Sequence, residues 1–351
     1  MLFSFIKWVQ EVDPTWRIAM VQGPSKLVPL ETSNTYLPEM WTLFTVALLV
    51  VTIRYAVRIR TVGCRGFESD DYVALVFISC CAINMAVVQI TYYTGANIII
   101  TAELAETLPD RDIKILEFGS LLEFISWYTY SGCLWTLKFK VLCFYRRLKS
   151  HLWWNNTTLK ILFWVTGLSF VFLALSISFT CRPYSANWQI KPFPGPECVF
   201  RPQNFWITVI FNVLTDFAIM SIPLPIIWHL RASRMRKIGV SLLLLSGIFM
   251  ISLAVIRAAK TLNGKPSVIN INRWGWREII VGTVAVNAPV LAPIFTRAFW
   301  RKGSYRPFTP PDPGLRRLST RKPPALESIV FGHYTDDPDE GHELSNLEGE
   351  E

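Results

Sequence analysis

Residues 72–93 read YVALVFISCCAINMAVVQITYY, without a single charge. A helix needs about 20 mostly apolar residues to cross a hydrocarbon core. The stretch does not alternate, as a barrel strand does. Backbone groups in lipid must be satisfied internally, so it reads as a membrane helix. The same measure finds residues 161–180, 205–228 (one Asp inside), 238–256 and 279–295. Two blocks are less clean. Residues 40–57 carry Arg54 near their end, where a long side chain can snorkel to the interface. Residues 118–145 carry Glu123, Lys138 and Lys140 but are long enough to tilt. The sum is an all-α, seven-transmembrane helix bundle. Pro223 and Pro225 in the fifth span, and Pro289 and Pro293 in the seventh, read as kinks or hinges.

The composition agrees. Of 351 residues, 51% are hydrophobic and 17% charged, against about 25% in soluble domains. The apolar residues come in blocks, which excludes a soluble globular enzyme, a disordered chain and a disulfide miniprotein. The net charge of +9 divides unevenly: residues 1–322 hold 35 basic and 17 acidic side chains, residues 323–351 nine acidic and no basic ones.

Short-loop Lys and Arg set orientation. Arg58, Arg60 and Arg65 follow span one; Arg146, Arg147 and Lys149 follow span three, with Lys160 where the next helix begins. Arg231, Arg234, Arg236 and Lys237 follow span five; Arg297, Arg301, Lys302 and Arg306 follow span seven. These lie on one side, the cytoplasmic one, so the N-terminus is outside and the C-terminus inside. Lys260, Lys265 and Arg273 after span six disagree. The basic excess therefore orients the bundle and meets inner-leaflet lipid, and gives no support for nucleic acid. The division is an outer segment 1–36, a membrane domain 37–300 and a disordered cytoplasmic tail 301–351. The first segment lacks the pattern of a cleaved signal. Asn155 and Asn156 match the N-x-S/T pattern but face the cytoplasm, so neither should carry glycan.

Cys80, Cys81, Cys133 and Cys143 read as helix packers and Cys64 as a reduced thiol. Cys181 and Cys198 share the outer loop between spans four and five, where secretory oxidation favours a disulfide holding a lid. Ionisable residues at membrane depth face the bundle interior. Asp216, with Asn212 one turn earlier on the same face, is either a ligand, proton or ion site or an interhelical clamp. Glu123, near the outer end of span three, lies where a ligand enters or is exposed to headgroup water, and its position favours the latter. Lys138 and Lys140 snorkel to the cytoplasmic end, where Lys138 can pair with Asp71. Arg257 ends span six outside and can pair with Glu278, which begins span seven.

These landmarks together resemble the fungal rhodopsin-like integral membrane proteins, which include pathogenicity-related receptor-like proteins and the satratoxin-cluster family. The matching residues are Asp70-Asp71-Tyr72, Lys138 with Tyr145-Arg146, Cys181-Arg182-Pro183 with Trp188 and Cys198, and Asp216 with Pro223-x-Pro225 and Trp228. Gly247, Ser252, Arg257, Trp276, Glu278 and Pro289-x-x-Ala-Pro293 complete them. Lys140 and Ala292 depart from the family's usual Ser and Arg, which touches any shared contact at the inner face. The resemblance implies the seven-span fold and an association with secondary-metabolite gene clusters or host and environment sensing.

Span seven holds no lysine for a Schiff base, and Lys138, Lys140 and Lys160 are placed far from a mid-bundle pocket, so no retinal is expected. The four histidines offer no metal constellation. Ser319 in Arg316-Arg317-Leu318-Ser319 resembles a basophilic kinase site. The first functional reading is a non-enzymatic, receptor-like protein of the plasma membrane or another endomembrane. It binds a small molecule or lipid and addresses a cytoplasmic signalling partner. The alternatives are a metabolite transporter, for which no internal repeat is visible, and a membrane enzyme acting on a lipophilic intermediate through acids such as Asp216 and Glu123.

Overall fold

A computed structural model describes residues 23–63, 66–149, 156–222, 247–260, 267–291 and 294. Cys64, Asn155, Pro223, Pro225, Pro293, Ser319 and the tail lie outside the described residues. The described residues form helices without strands. The long ones are α1 Tyr36–Val62, α2 Ser69–Thr94, α3 Asp110–Lys149, α4 Asn156–Phe179, α5 Pro202–Ser221, α6 at residues 247–260 and α7 Val268–Leu291. Four of them, α1, α2, α4 and α5, are long and apolar enough to cross a membrane.

The interior is largely apolar, but the surface and the buried charges depart from those of a water-soluble protein. Trp164, Leu168, Phe179 and Phe217 are 59–71% exposed, while Arg54, Arg58, Lys140, Arg257 and Glu278 are at most 2% exposed. Charged residues are almost never fully buried in a soluble domain. Outward apolar and inward ionic side chains are the arrangement a hydrocarbon solvent selects.

Helix α3 is the axis, packing on α2, α4, α5 and α7, while α1 lies against α2 and α7. Contacts fix the directions. Asn84 Nδ2 donates to Thr129 Oγ1 at 2.8 Å and Cys81 Sγ lies 3.5 Å from Cys133 Sγ, so α2 and α3 run oppositely. Trp135 Nε1 donates to Thr166 O at 3.0 Å and Tyr128 OH lies 2.8 Å from Ser178 Oγ, which together set α4 antiparallel to α3. Tyr130 meets Glu278 and Lys140 meets Asn287, so α3 and α7 run together.

Helix α2 stops at Gly95, whose φ of 78° only glycine adopts readily. Gly119 of α3 packs on that turn, and a Cβ there would fall 1.8 Å from Gly95 O. The Gly95 end also holds the Cys181–Cys198 disulfide and the described residues of the N-terminal segment. Asp112 accepts from Ser25, and Ser267 Oγ donates to Glu31 Oε2 at 2.8 Å. Lys191 reaches Glu106 at 3.1 Å, and Arg201 donates to Asn187 O.

Several boundaries lie beyond the expected spans, most of all at α3, which starts at Asp110 and not 118, and at α7. Helix α7 begins at Val268, well before residue 279. The added turns carry Asn270, Asn272, Arg273, Arg277 and Glu278, which depress hydropathy. Their polar face finds partners instead: Glu39 of α1 takes Arg273 at 2.8 Å and Arg277 at 2.6 Å. Arg273 is therefore helical and ion-paired, not part of a loop.

Candidate functional site

The deepest polar cluster is built around Glu278 of α7, which is fully buried. Tyr130 OH of α3 donates to its Oε2 at 2.6 Å, and Asn212 Nδ2 of α5 to its Oε1 at 3.0 Å. Arg257 Nε of α6 lies 3.0 Å from Oε2, and the guanidinium sits 4.9 Å from the centre of the Tyr130 ring. The expectation placed Arg257 and Glu278 at outer helix ends. The structure brings them together inside the bundle, because α6 and α7 both extend past the predicted limits.

Lys138 follows Tyr130 by eight residues, about 12 Å along the same face of α3. Its Nζ donates to Asn212 O at 3.1 Å and to Asp216 Oδ1 in a buried ion pair. This corrects the expected Lys138–Asp71 pair. Asp71 instead accepts from Arg54 at 2.9 Å and from Arg58 at 2.8 Å, and also caps α2 through Glu68 N at 3.1 Å. Arg54 does not snorkel: it turns inward between Asp70 at 2.5 Å and Asn287 at 3.3 Å. Lys140 does not snorkel either, donating to Asn287 Oδ1 at 3.0 Å beside the Phe77 ring. The cause is azimuth. These side chains leave their helices toward carboxylates and amides of neighbours, so pairing inside replaces hydration at the interface.

Two cavities flank this polar chain. The first lies toward the disulfide end, with about 350 Å³ of empty space that includes the open region at its mouth. Glu123, Trp127, Tyr130, Arg257, Asn272 and Trp276 line it. Glu123 is thus not a headgroup-facing carboxylate; its Oε2 is buried. Four polar atoms of this lining, Glu123 Oε2, Asn272 Nδ2, Trp276 Nε1 and Arg257 Nη2, are buried without a hydrogen bond of ordinary geometry, although the Glu123 and Asn272 side chains lie close enough to interact. Such orphans each cost about 1–3 kcal/mol, more when charged, and water or a polar ligand entering the cavity would satisfy them.

The second cavity, about 600 Å³ by the same measure, lies between α3, α5, α6 and α7. Its walls are mainly apolar, and Lys138, Asn212, Asp216 and Tyr145 are its polar residues. Lys138 was expected far from any mid-bundle pocket; it lines the larger of these two. The three ligand candidates therefore separate, Glu123 into the first cavity and Asn212 with Asp216 into the second.

Sequence reasoning missed Tyr130, Asn272 and Trp276 as site residues. A signal existed: Asn272, Trp276, Ile279, Thr283 and Asn287 recur at helical spacing and are all buried. Among the described residues no group of three or more His, Cys, Asp or Glu is placed to hold a metal ion.

Residues 53–297 match the family model described as the fungal rhodopsin domain. Among curated proteins, the chain is 31% identical over 153 residues to the polyenoic acids biosynthesis gene cluster protein Ba17b of Metarhizium anisopliae, covering 42% of this chain and 39% of that one. It is 26% identical over 152 residues to a SAT4 family membrane protein of Emericella nidulans, covering 39% and 38%. It is 25% identical over 154 residues to the fugralins biosynthesis cluster protein 2 of Gibberella zeae, covering 42% and 37%. The chain thus spans about two fifths of the length of these relatives. No solved structure matches it.

Proposed function

The chain belongs to the fungal rhodopsin domain family of membrane proteins, and on that premise we propose that it is a seven-span, receptor-like protein that binds a small molecule in the cavity beneath its disulfide loop. The observation that carries this reading is the convergence on one space of Glu123, Asn272, Trp276 and Arg257, each with a buried atom that lacks a hydrogen bond of ordinary geometry. Three are donors and one is an acceptor. The ligand they suit is compact and oxygen-bearing, with more acceptors than donors, and its apolar part lies against Trp127 and Tyr130.

In this reading the disulfide end faces outward and the Asp70 end the cytoplasm, as the basic loops favour. The C-terminal side then meets the signalling partner and the inner leaflet. Two relatives bear the names of biosynthesis cluster proteins, which supports a metabolite as the ligand and a cluster context for this chain. No reaction is assigned. Glu278 and Asp216 are each held by a cation, which suits them poorly to donate protons. The reading also includes no retinal, since residues 279–295 lack lysine and Lys138 is ion-paired.

One observation favours a transporter as the second reading. Arg257, Glu278, Asn212, Lys138 and Asp216 form a continuous polar chain through the bundle, of the kind that proton-coupled carriers use. Gene deletion with metabolite profiling inside and outside the cell separates the readings, with complementation by the native chain or by Asn272→Leu. A lost response to an external cue with unchanged metabolites supports the receptor. Accumulation inside the cell supports the transporter, and loss of a product structure an enzyme. Full complementation by Asn272→Leu at normal expression removes the first cavity as the site.

A further inference from the structure

The second cavity differs chemically from the first. Its walls include Leu137, Val141, Met250 and Val286, and its polar groups are Lys138, Asn212, Asp216 and Tyr145. Lys138 and Asp216 pair, with side chains 6% and 15% exposed. The pair is incompletely satisfied. Asp216 Oδ2 is buried and has no hydrogen-bond partner. An ammonium has three N–H donors; Asn212 O and Asp216 Oδ1 take two of Lys138's, and the third has no hydrogen-bond acceptor among the described residues, with only the Trp135 ring nearby, its centre 6.0 Å from Nζ. One donor and one acceptor therefore remain side by side in the wall of a mainly apolar space.

We propose that this cavity binds the hydroxyl end of a neutral apolar molecule, an alcohol on a long chain or on a fused-ring skeleton, with Lys138 donating to the hydroxyl oxygen and the hydroxyl donating to Asp216 Oδ2. Charge balance selects the class. Lys138 and Asp216 neutralise one another, so a carboxylate or ammonium ligand would leave a net charge buried in low dielectric. A hydroxyl is both donor and acceptor and completes both orphans without adding charge. The apolar remainder gains from burial against the Leu, Val and Met walls. Met220 and Met250 give the walls flexible, polarisable surfaces that accommodate irregular skeletons. Gly247 and Gly282 face these methionines, so the helices approach closely there and the space remains between them and α3. This site stands apart from the first cavity and does not depend on it.

The test uses the full-length protein in detergent micelles. Two photoactivatable probes are compared, a long-chain primary alcohol and a sterol with a free hydroxyl, each against its own methyl ether. Labelled peptides are mapped by mass spectrometry. The proposal expects labelling on the α3, α6 and α7 walls by at least one alcohol, and about tenfold less by its ether, since hydrogen bonds to charged groups discriminate by that order. The better probe identifies which skeleton the cavity takes. Lys138→Met with Asp216→Leu should reduce labelling by a similar factor, while Trp276→Phe in the first cavity leaves it unchanged. Should the double variant fail to fold, Val286→Phe decides, because it fills the space and leaves the pair intact; labelling of the walls must fall. Equal labelling by the ethers, undiminished labelling of Val286→Phe, or no wall labelling by either alcohol overturns the proposal.

Discussion

Arg257 and Glu278 meet at 3.0 Å with side chains 2% and 0% exposed, joining α6 to α7. Glu278 also receives Tyr130 and Asn212, so one carboxylate joins four helices. Removing one partner of a buried pair costs about 3–5 kcal/mol because the other charge is stranded. Arg257→Met and Glu278→Leu should therefore each sharply lower the unfolding midpoint in detergent. The double variant should recover most of the loss, since apolar replacement of a whole buried pair is often neutral. Additive losses in the double variant would show that the two side chains do not depend on one another.

Lys138 pairs with Asp216 and not with Asp71, and charge exchange distinguishes the two. Lys138→Asp alone should fail to accumulate as folded protein. Adding Asp216→Lys should restore much of it, whereas adding Asp71→Lys should make it worse, because that change strands Arg58 and sets a further cation beside Arg54. Fluorescence-detected size exclusion reads all three. Rescue by Asp71→Lys would reverse the assignment.

Asp70 and Asp71 are adjacent in sequence but differ in their partners. Asp70 is paired with Arg54, whereas Asp71 accepts from Arg54, Arg58 and the Glu68 amide. Asp71→Asn should cost several times more than Asp70→Asn, on the order of 3–5 kcal/mol. Chemical-denaturant midpoints of the two variants, measured in parallel, provide the comparison; equal costs would contradict the difference in coordination.

Gly119 and Gly132 both lie in α3, but only Gly119 meets backbone. A Cβ at Gly119 falls 1.8 Å from Gly95 O, whereas at Gly132 its nearest neighbour is Cys80 Sγ at 3.5 Å. Gly119→Ala should therefore separate α2 from α3 and lower yield and thermal midpoint, and Gly132→Ala should be tolerated. Similar behaviour of the two alanine variants would argue against the close crossing.

The proposed orientation predicts that Asn155 and Asn156, near the start of α4, carry no glycan when expressed in a secretory host. A new acceptor sequence placed in the loop of residues 184–197 should be glycosylated. Glycosidase-sensitive mass shifts check both, and modification at Asn155 or Asn156 would invert the topology.

Much of the helical content was legible because hydropathy is additive along the chain. Residues 72–93 contain no charge, and α2 covers them from Ser69 to Thr94. Span starts were less legible wherever a helix buries a polar face. The first turns of α7 read as a loop because a window average cannot distinguish an arginine in water from one held by Glu39. The ligand candidates Asp216 and Glu123 stood out for their depth. Tyr130, Asn272 and Trp276 did not, since such residues are common in membrane helices and only their neighbours single them out.

Solvent preference is a property of each residue, and it accumulates over a span whatever the neighbouring helices do. That is why the chain alone declares a helical membrane protein, the sides on which its basic loops cluster, and a cysteine pair 17 residues apart in one loop. Ion pairing depends on azimuth and on which helices cross at a given depth, quantities that one strand of text does not contain. Lys138 and Asp71 lay at compatible depths, yet the packing of α5 against α3 brought Asp216 to the ammonium, and α1 brought Arg54 and Arg58 to Asp71. The two cavities have the same origin: each exists only where three or four helices leave space between them.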